Sequence, residues 1–144
     1  MKPYAMKHIS PKELEIFSKI ETVVNSLPNE IDLGFDERGK KVILSCHILA
    51  RAIAKVFHLK YVDGYLYKEG GFEHGWIETD QFNIIDVYPI ATVGGPIMIA
   101  RNMFCCMHRP YQKARLKNRG FNKPWFRQAV KKTTVLLMTQ LKLN

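Results

Sequence analysis

Apolar residues at Leu14, Phe17, Ile20, Val24 and Leu27 recur every three or four positions behind Ser10-Pro11-Lys12-Glu13. A serine that can cap, a first-turn proline and a glutamate in the Ser-x-x-Glu arrangement mark a helix start, and Pro28 ends the run. Residues 28–41 are polar, carry Gly34 and Gly39, and read as a connection. A second helix runs to about Phe57, and its start has two readings. Ser45 can cap a helix that begins at Cys46, or Val42, Cys46, Leu49, Ile53 and Val56 can form one stripe from about residue 40. The difference is chemical, because unpaired N–H groups at a helix N-terminus lower a thiol pKa and those in mid-helix do not.

Strand-like runs follow at about 60–68, 72–79 and 82–88, with Lys68-Glu69-Gly70-Gly71 as the first turn and Thr79-Asp80-Gln81 as the second. Residues 89–100 read as a loop touching the core, with a short strand at Ile97-Met98-Ile99. Residues 101–122 read as irregular or weakly helical, punctuated by Pro110 and Gly120. Pro124 then opens a last helix to about Leu143, with Phe126, Val130, Leu137 and Leu141 facing inward. No repeat or linker interrupts the chain, and 144 residues fit one domain, 1–144, around one core.

The second turn brings chemistry together by counting alone. If the chain folds back about Asp80, opposed residue numbers sum to 160, so His74 faces Asp86, Trp76 faces Ile84 and Glu78 faces Phe82. Directly opposed side chains share a face, with Cβ atoms roughly 4.5–5.5 Å apart. An imidazole then stands beside a carboxylate that fixes its tautomer and supports its charge. With Cys46 upstream, these are the parts of a thiol-based acyl-transfer site.

The segments Ser45-Cys46-His47-Ile48-Leu49-Ala50-Arg51-Ala52-Ile53, Tyr61-Val62-Asp63-Gly64-Tyr65, His74-Gly75-Trp76-Ile77-Glu78 and Ile85-Asp86 resemble the core of the transglutaminase-like cysteine hydrolases. That superfamily includes peptidases, amidases, deamidases and the leader peptidases of lasso-peptide maturation. The resemblance covers about residues 40–90 and implies Cys46 as nucleophile, His74 as base and Asp86 as orienting acid. It implies an α+β, papain-like fold in which the cysteine helix packs on a small antiparallel sheet, followed here by a basic C-terminal helical region. Gly75 stands where the family usually has alanine, and Asp86 is followed by Val87-Tyr88-Pro89 where proline and threonine often follow directly. Glu78 matches the family pattern. Trp76, one strand step from His74, is placed to wall the site, so both are candidate substrate contacts. The expectation is that the sulfur lies close to His74 on the sheet face toward the helix. The Cys46 backbone N–H is the natural first oxyanion donor, and the sequence names no second one.

Composition changes this picture in one place. Residues 101–144 hold 11 Lys and Arg and no Asp or Glu, whereas the first hundred residues carry 11 basic and 13 acidic groups, so the C-terminal third supplies the excess behind the net charge of +9. Arg109, Lys113, Arg115, Lys117, Arg119, Lys123 and Arg127 alternate there with Tyr111, Phe121, Trp125 and Phe126. Such a segment suits an acidic protein or a nucleic acid, with cations on phosphates and rings on bases. A non-catalytic binding module of that kind is therefore the alternative to an enzyme acting on a peptide or protein substrate. Otherwise the cations form a solvated face and the rings join the core. Cys105-Cys106-Met107-His108, with His8, His47 and His58, offers soft ligands but neither a Cys-x-x-Cys pair nor a His-x-x-x-His helix face, so no metal or cofactor is expected. The N-terminus shows no signal-peptide core, no run is long enough to cross a membrane, and three cysteines cannot all pair within the chain, so the expected setting is a reducing cytoplasm.

Overall fold

The computed structural model describes residues 9–66, 72–87, 95–101, 111–117 and 119–143. Helix α1 spans Pro11–Asn25 and starts as the sequence suggests, with the Ser10 hydroxyl accepting from the Glu13 N–H at 3.2 Å. The reciprocal half of the capping box is absent. The Glu13 carboxylate instead turns to the Asn83 side-chain amide at 2.8 Å and the Gln81 N–H at 3.3 Å, tying the helix start to a distant β-turn.

Helix α2 spans Cys46–Phe57. Ser45 is extended and its hydroxyl accepts from the Ile48 N–H at 3.3 Å, which makes Cys46 the first helical residue. The longer stripe from residue 40 is not helical. Lys41 bridges Phe35, and the Val42 N–H donates to the Gly34 carbonyl at 2.8 Å. Val42 is apolar because it packs with Leu33, Ile48, Phe126 and Ala129, not because it extends a helix. The last helix, α3, spans Pro124–Leu143 and buries Phe126, Ala129 and Leu137. It also buries Thr133 and Thr134, whose hydroxyls donate to the carbonyls four residues back. Val130 and Leu141 are only partly covered.

Five strands, β1 (Lys60–Leu66), β2 (Phe72–Glu78), β3 (Ile84–Asp86), β4 (Ile97–Ile99) and β5 (Tyr111–Lys113), form one sheet in the order β4-β3-β2-β1-β5. Every pairing is antiparallel. The chain is thus α+β, with three helices and a small antiparallel sheet among the described residues. β5 corrects the irregular reading of 101–122. Its three residues carry no strand periodicity of their own and are held by β1, where Gly64 lets the backbones close: a Cβ there would lie 2.0 Å from the Gln112 carbonyl oxygen. The expected turn at 68–71 and the first half of the 89–100 loop, 89–94, lie outside the described residues. No described helix is long and apolar enough to cross a membrane.

Strand alternation divides the core. Ile77, Ile85 and Val87 face the helices and pack with Ile20, Val23, Leu49, Ile53 and Leu137. Val62, Trp76 and Ile84 form a separate cluster with Ile99 and Tyr111 on the other face. Asn83 anchors the β2–β3 turn between these layers. Its amide donates to Glu13, its carbonyl oxygen accepts from the Arg101 N–H at 2.8 Å, and its N–H donates to the Thr79 hydroxyl at 3.0 Å. Asn83→Ala removes both side-chain bonds and leaves the buried Glu13 carboxylate short of a donor. The expected loss is about 1–3 kcal/mol, read as a lowered urea midpoint with an unchanged slope.

Candidate active site

His74 and Asp86 meet, but not in the register that symmetry about residue 80 suggests. Ile77 opposes Ile85 and Glu78 opposes Ile84, so opposed numbers sum to 162 and Asp86 falls opposite Trp76. The cause is Phe82, which adopts a left-handed conformation at φ 63° and belongs to the turn rather than the strand. The Phe82 N–H closes on the Thr79 carbonyl at 2.9 Å, and the Thr79 N–H on the Asn83 carbonyl at 2.8 Å, giving a three-residue loop centred on Gln81. A two-residue change in the sum keeps parity, so His74 and Asp86 still share a face, as diagonal neighbours. His74 Nε2 lies 3.0 and 2.9 Å from the two Asp86 oxygens, and the Tyr111 hydroxyl donates to Asp86 Oδ2 at 2.8 Å. Both members of the pair are fully buried.

That face is the one turned away from the helices, which corrects the expected placement. His74 stacks near Trp76, with ring centroids 6.3 Å apart, and Trp76 meets Tyr111 edge-on at 5.3 Å. Helix α2 reaches β2 from the opposite face, with its first turn against Gly75. A Cβ at Gly75 would lie 3.0 Å from His47 Nδ1 and 3.4 Å from the Cys46 carbonyl oxygen. Cys46 is partly buried at the first position of α2, where free backbone N–H groups favour an anion.

Electrostatics connects these groups. Burial pushes the Cys46 thiol up, but hydrogen bonding and charge from His47 and His74 outweigh burial and hold it at about 6. Burial pushes His74 down, but Asp86, and Cys46 after it, hold the imidazole up at about 9. With Nε2 on Asp86, the second ring nitrogen of His74 is buried without a hydrogen-bond partner of regular geometry. The thiol and this ring therefore influence each other through a looser contact than a formed hydrogen bond. The neutral ring tautomer set by Asp86 leaves the Nδ1 lone pair open to a proton.

A second histidine–carboxylate pair stands on the helix-facing side of β2, at the residue next to the cysteine. His47 Nδ1 lies 3.0 Å from Asp63 Oδ1, and Arg51 grips both oxygens of Asp63 at 2.9 and 2.6 Å. The Arg51 guanidinium lies 4.3 Å from the centroids of both Tyr61 and Phe121. Burial lowers the His47 pKa, but Asp63 and then Cys46 raise it above its ordinary value. Sequence reading treated His47 only as a stray soft ligand and gave Asp63 no role. The available signal was parity, since Asp63 shares the helix-facing side of β1 with Tyr61 and opposes Gly75. Tyr111 was missed as a partner of Asp86 because its strand is legible only from its neighbour.

The remaining candidates are dispersed. Trp76 is 1% exposed and supports His74 from within the sheet, so it presents no open wall. Glu78 is buried and paired with Lys113 at 2.6 Å. Arg119 pairs with Glu73 at 2.7 Å and Lys123 with Glu37 at 3.4 Å. Arg127 donates to the Asn122 carbonyl, at 2.8 Å from its nearer nitrogen. Arg115 and Lys117 are exposed, without an acidic partner among the described residues. Arg109 lies outside the described residues, as do His8, Cys105, Cys106 and His108. The aromatics of the basic segment turn inward: Phe121 lies 4.8 Å from His47 and 4.9 Å from Phe126, and Trp125 packs edge-on against Phe126. Among the described residues no group of three His, Cys, Asp or Glu is arranged to hold a metal.

No family model, curated protein or solved structure matches the chain.

Proposed function

We propose that the chain is a thiol-dependent acyl-transfer enzyme of transglutaminase-like type, with a papain-related fold, acting on an amide or related acyl bond. The observation that carries this reading is the Cys46 thiol at a capped helix start, electrostatically coupled to a histidine whose other nitrogen is held by a buried aspartate. In the resting site the thiol proton resides on His74, giving a thiolate–imidazolium pair. The thiolate attacks the carbonyl carbon, and the carbonyl π pair moves onto oxygen. The backbone N–H of Cys46, unpaired at the first helical position, is the first donor to that oxygen. His74 passes its proton to the departing nitrogen as the C–N bond breaks, leaving a thioester and a free amine or ammonia. Water, deprotonated by His74, attacks the thioester and restores the thiolate; an amine in its place gives transfer. Asp86, steadied by Tyr111, keeps Nε2 occupied so that Nδ1 performs both transfers.

The substrate we assign is a peptide or protein with acidic residues near the scissile bond. The groove lined by Arg115, Lys117, Phe121 and Trp125 has a volume of about 880 Å³ and reaches Phe121, which contacts His47. A reducing, cytoplasmic setting suits a reactive free thiol. The internal ion pairs of Lys113, Arg119 and Lys123 count against a surface that neutralises nucleic-acid phosphates.

Cys46→Ala is expected to abolish turnover of an amide probe while leaving the fold intact by circular dichroism. Asp86→Asn should reduce kcat by about 10²–10⁴-fold, because the amide can hold the wrong tautomer; full activity in either variant defeats the assignment. The pH profile of kcat/KM should be a bell. It rises as Cys46 ionises through about 6 and falls as His74 loses its proton through about 9, so a single sigmoid would exclude this division of roles. Arg115→Glu combined with Lys117→Glu should raise KM for an acidic peptide at 0.01 M salt, where the Debye length is about 30 Å, and less so at 0.15 M. The same pair should leave Cys46 alkylation by neutral iodoacetamide unchanged.

A further inference from the structure

We propose that the groove between α2 and α3 binds a small organic oxyanion, a carboxylate or phosphate monoester on a flat apolar body, seated on the unused edge of the Arg51 guanidinium. The site stands apart from the acyl-transfer reading. Neither Cys46 nor His74 lines it, and nothing in it requires the thiol to react.

The donors of Arg51 carry the argument. A guanidinium holds five N–H groups in one plane. Nη1 uses both of its hydrogens, one to the His47 carbonyl at 3.2 Å and one to Asp63 Oδ1 at 2.9 Å. Nη2 uses one, to Asp63 Oδ2 at 2.6 Å. Asp63 thus fills the end of the fork. The Nε–H and the second Nη2 hydrogen remain, and no described residue accepts from them. These two lie along a single edge of the plane, where a guanidinium can take both oxygens of a second carboxylate or phosphate.

The surroundings show where that edge looks. The rings of Tyr61 and Phe121 each lie 4.3 Å from the guanidinium, and Phe126 lies 5.3 Å away. Asp63 covers one edge and the His47 carbonyl another, so the Nε edge is the one left to meet the groove that Arg51 lines. The side chain is only 12% exposed, which makes two donors without an acceptor costly there.

The groove itself fits such a ligand. Its volume is about 620 Å³, within the range of small-molecule sites. Leu59 and Val130 continue the apolar surface of the three rings. Around it stand three further cations, Lys55 one turn beyond Arg51 on α2, and Arg127 and Lys131 one turn apart on α3, and no acidic residue lines it. Lys55 and Lys131 have no ion-pair partner among the described residues. Arg127 donates Nε and Nη2 to the Asn122 carbonyl, which leaves Nη1 for a ligand. An apolar cleft rimmed by cations draws an anion and repels a cation. A neutral ring would bury the same apolar surface but leave the Arg51 edge unmet.

The test is titration of the native protein with naphthoate, naphthyl phosphate and neutral naphthalenemethanol, by calorimetry and by NMR of the arginine Nε–H signals. One anion or both should bind one-to-one and shift the Arg51 Nε–H resonance, and the tighter of the two names the oxyanion. The alcohol, lacking charge-assisted hydrogen bonds, should bind at least roughly tenfold more weakly. Arg51→Lys, which keeps the charge and loses the fork, should weaken the anion by roughly tenfold or more. If that variant does not fold, Lys55→Glu combined with Lys131→Glu, both exposed, should weaken binding at 0.01 M salt and less so at 0.15 M. Cys46→Ala should bind as the native chain does, so failure of the catalytic assignment leaves this site standing. Absence of saturable binding by either anion, equal affinity for the alcohol, or an Arg51 Nε–H signal unmoved at saturation overturns the proposal.

Discussion

How closely the first turn of α2 lies on β2 governs the rest of the site. Residue 75 has no side chain, so the Cys46 carbonyl and the His47 ring rest against strand backbone, at distances a methyl group would strain. Behind that contact, Leu49, Ala50 and Ile53 bury against the helix-facing side of the sheet and against α3, which fixes the angle of the helix. Ser45 stops the helix one residue before the cysteine. A glycine in a strand interior is ordinarily a weakness. Here it lets a helix N-terminus, with its unpaired N–H groups, stand beside the strand that carries the histidine. Thiol and imidazole come from two regular elements packed directly on each other, which positions side chains more firmly than loops can.

The cost of this arrangement is buried charge. His74 and Asp86 are cut off from solvent, and His47 and Asp63 nearly so. Pairing buried ions seldom improves on an apolar core, whereas removing one partner strands the other. The site meets that constraint by giving each carboxylate more than one donor. Asp86 takes His74 and Tyr111, and Asp63 takes His47 and Arg51. Such networks add little net stability but admit few geometries, because every alternative leaves an ion unsatisfied. Asn83 extends the same logic to the turn, where three of its groups hold the loop that sets the β2–β3 register.

The sequence made legible those features that depend on local chemistry or on parity. Ser10 and Ser45 cap helices where their side chains can reach an N–H two or three residues on, and the helix beginning at Pro124 follows from its proline and apolar spacing. His74 and Asp86 share a face in any register of even offset, so their pairing survived an error of two residues in the turn. The error itself was not avoidable by pattern, because a phenylalanine in the left-handed region is rare and carries no signal. Val42 mimicked a helical stripe because burial against Leu33 and Phe126 requires the same kind of residue. β5 and the His47–Asp63 pair escaped for a common reason. Each is defined by a contact with a distant segment, and neither three residues of strand nor one histidine beside a cysteine has a periodicity to detect. Charge counting found the basic third, but could not show that Lys113, Arg119 and Lys123 answer Glu78, Glu73 and Glu37 within the chain.

Proton linkage shows why the pH dependence of reactivity, and not that of stability, exposes such a site. His74 has a folded pKa of about 9 against an ordinary 6.5, so it contributes stability fully below 6.5 and loses it as pH rises through 9. Cys46 has a folded pKa of about 6 against an ordinary 9.0, so its contribution is complete above 9.0 and is lost as pH falls through 6. Between 6.5 and 9 the unfolded chain holds one proton on the thiol and none on the histidine, and the folded chain holds one on the histidine and none on the thiol. The proton count is the same in both states, so the two slopes cancel. Folding moves a proton from sulfur to nitrogen without taking one up, and the protein acquires a thiolate at neutral pH while this pair leaves its stability indifferent to pH. The position of the proton is then set by the geometry that Gly75, Ser45 and Asp86 maintain, and a chain that lost that geometry would return the proton to sulfur and lose the stabilisation that the two shifts represent, with no change in the pH slope between 6.5 and 9.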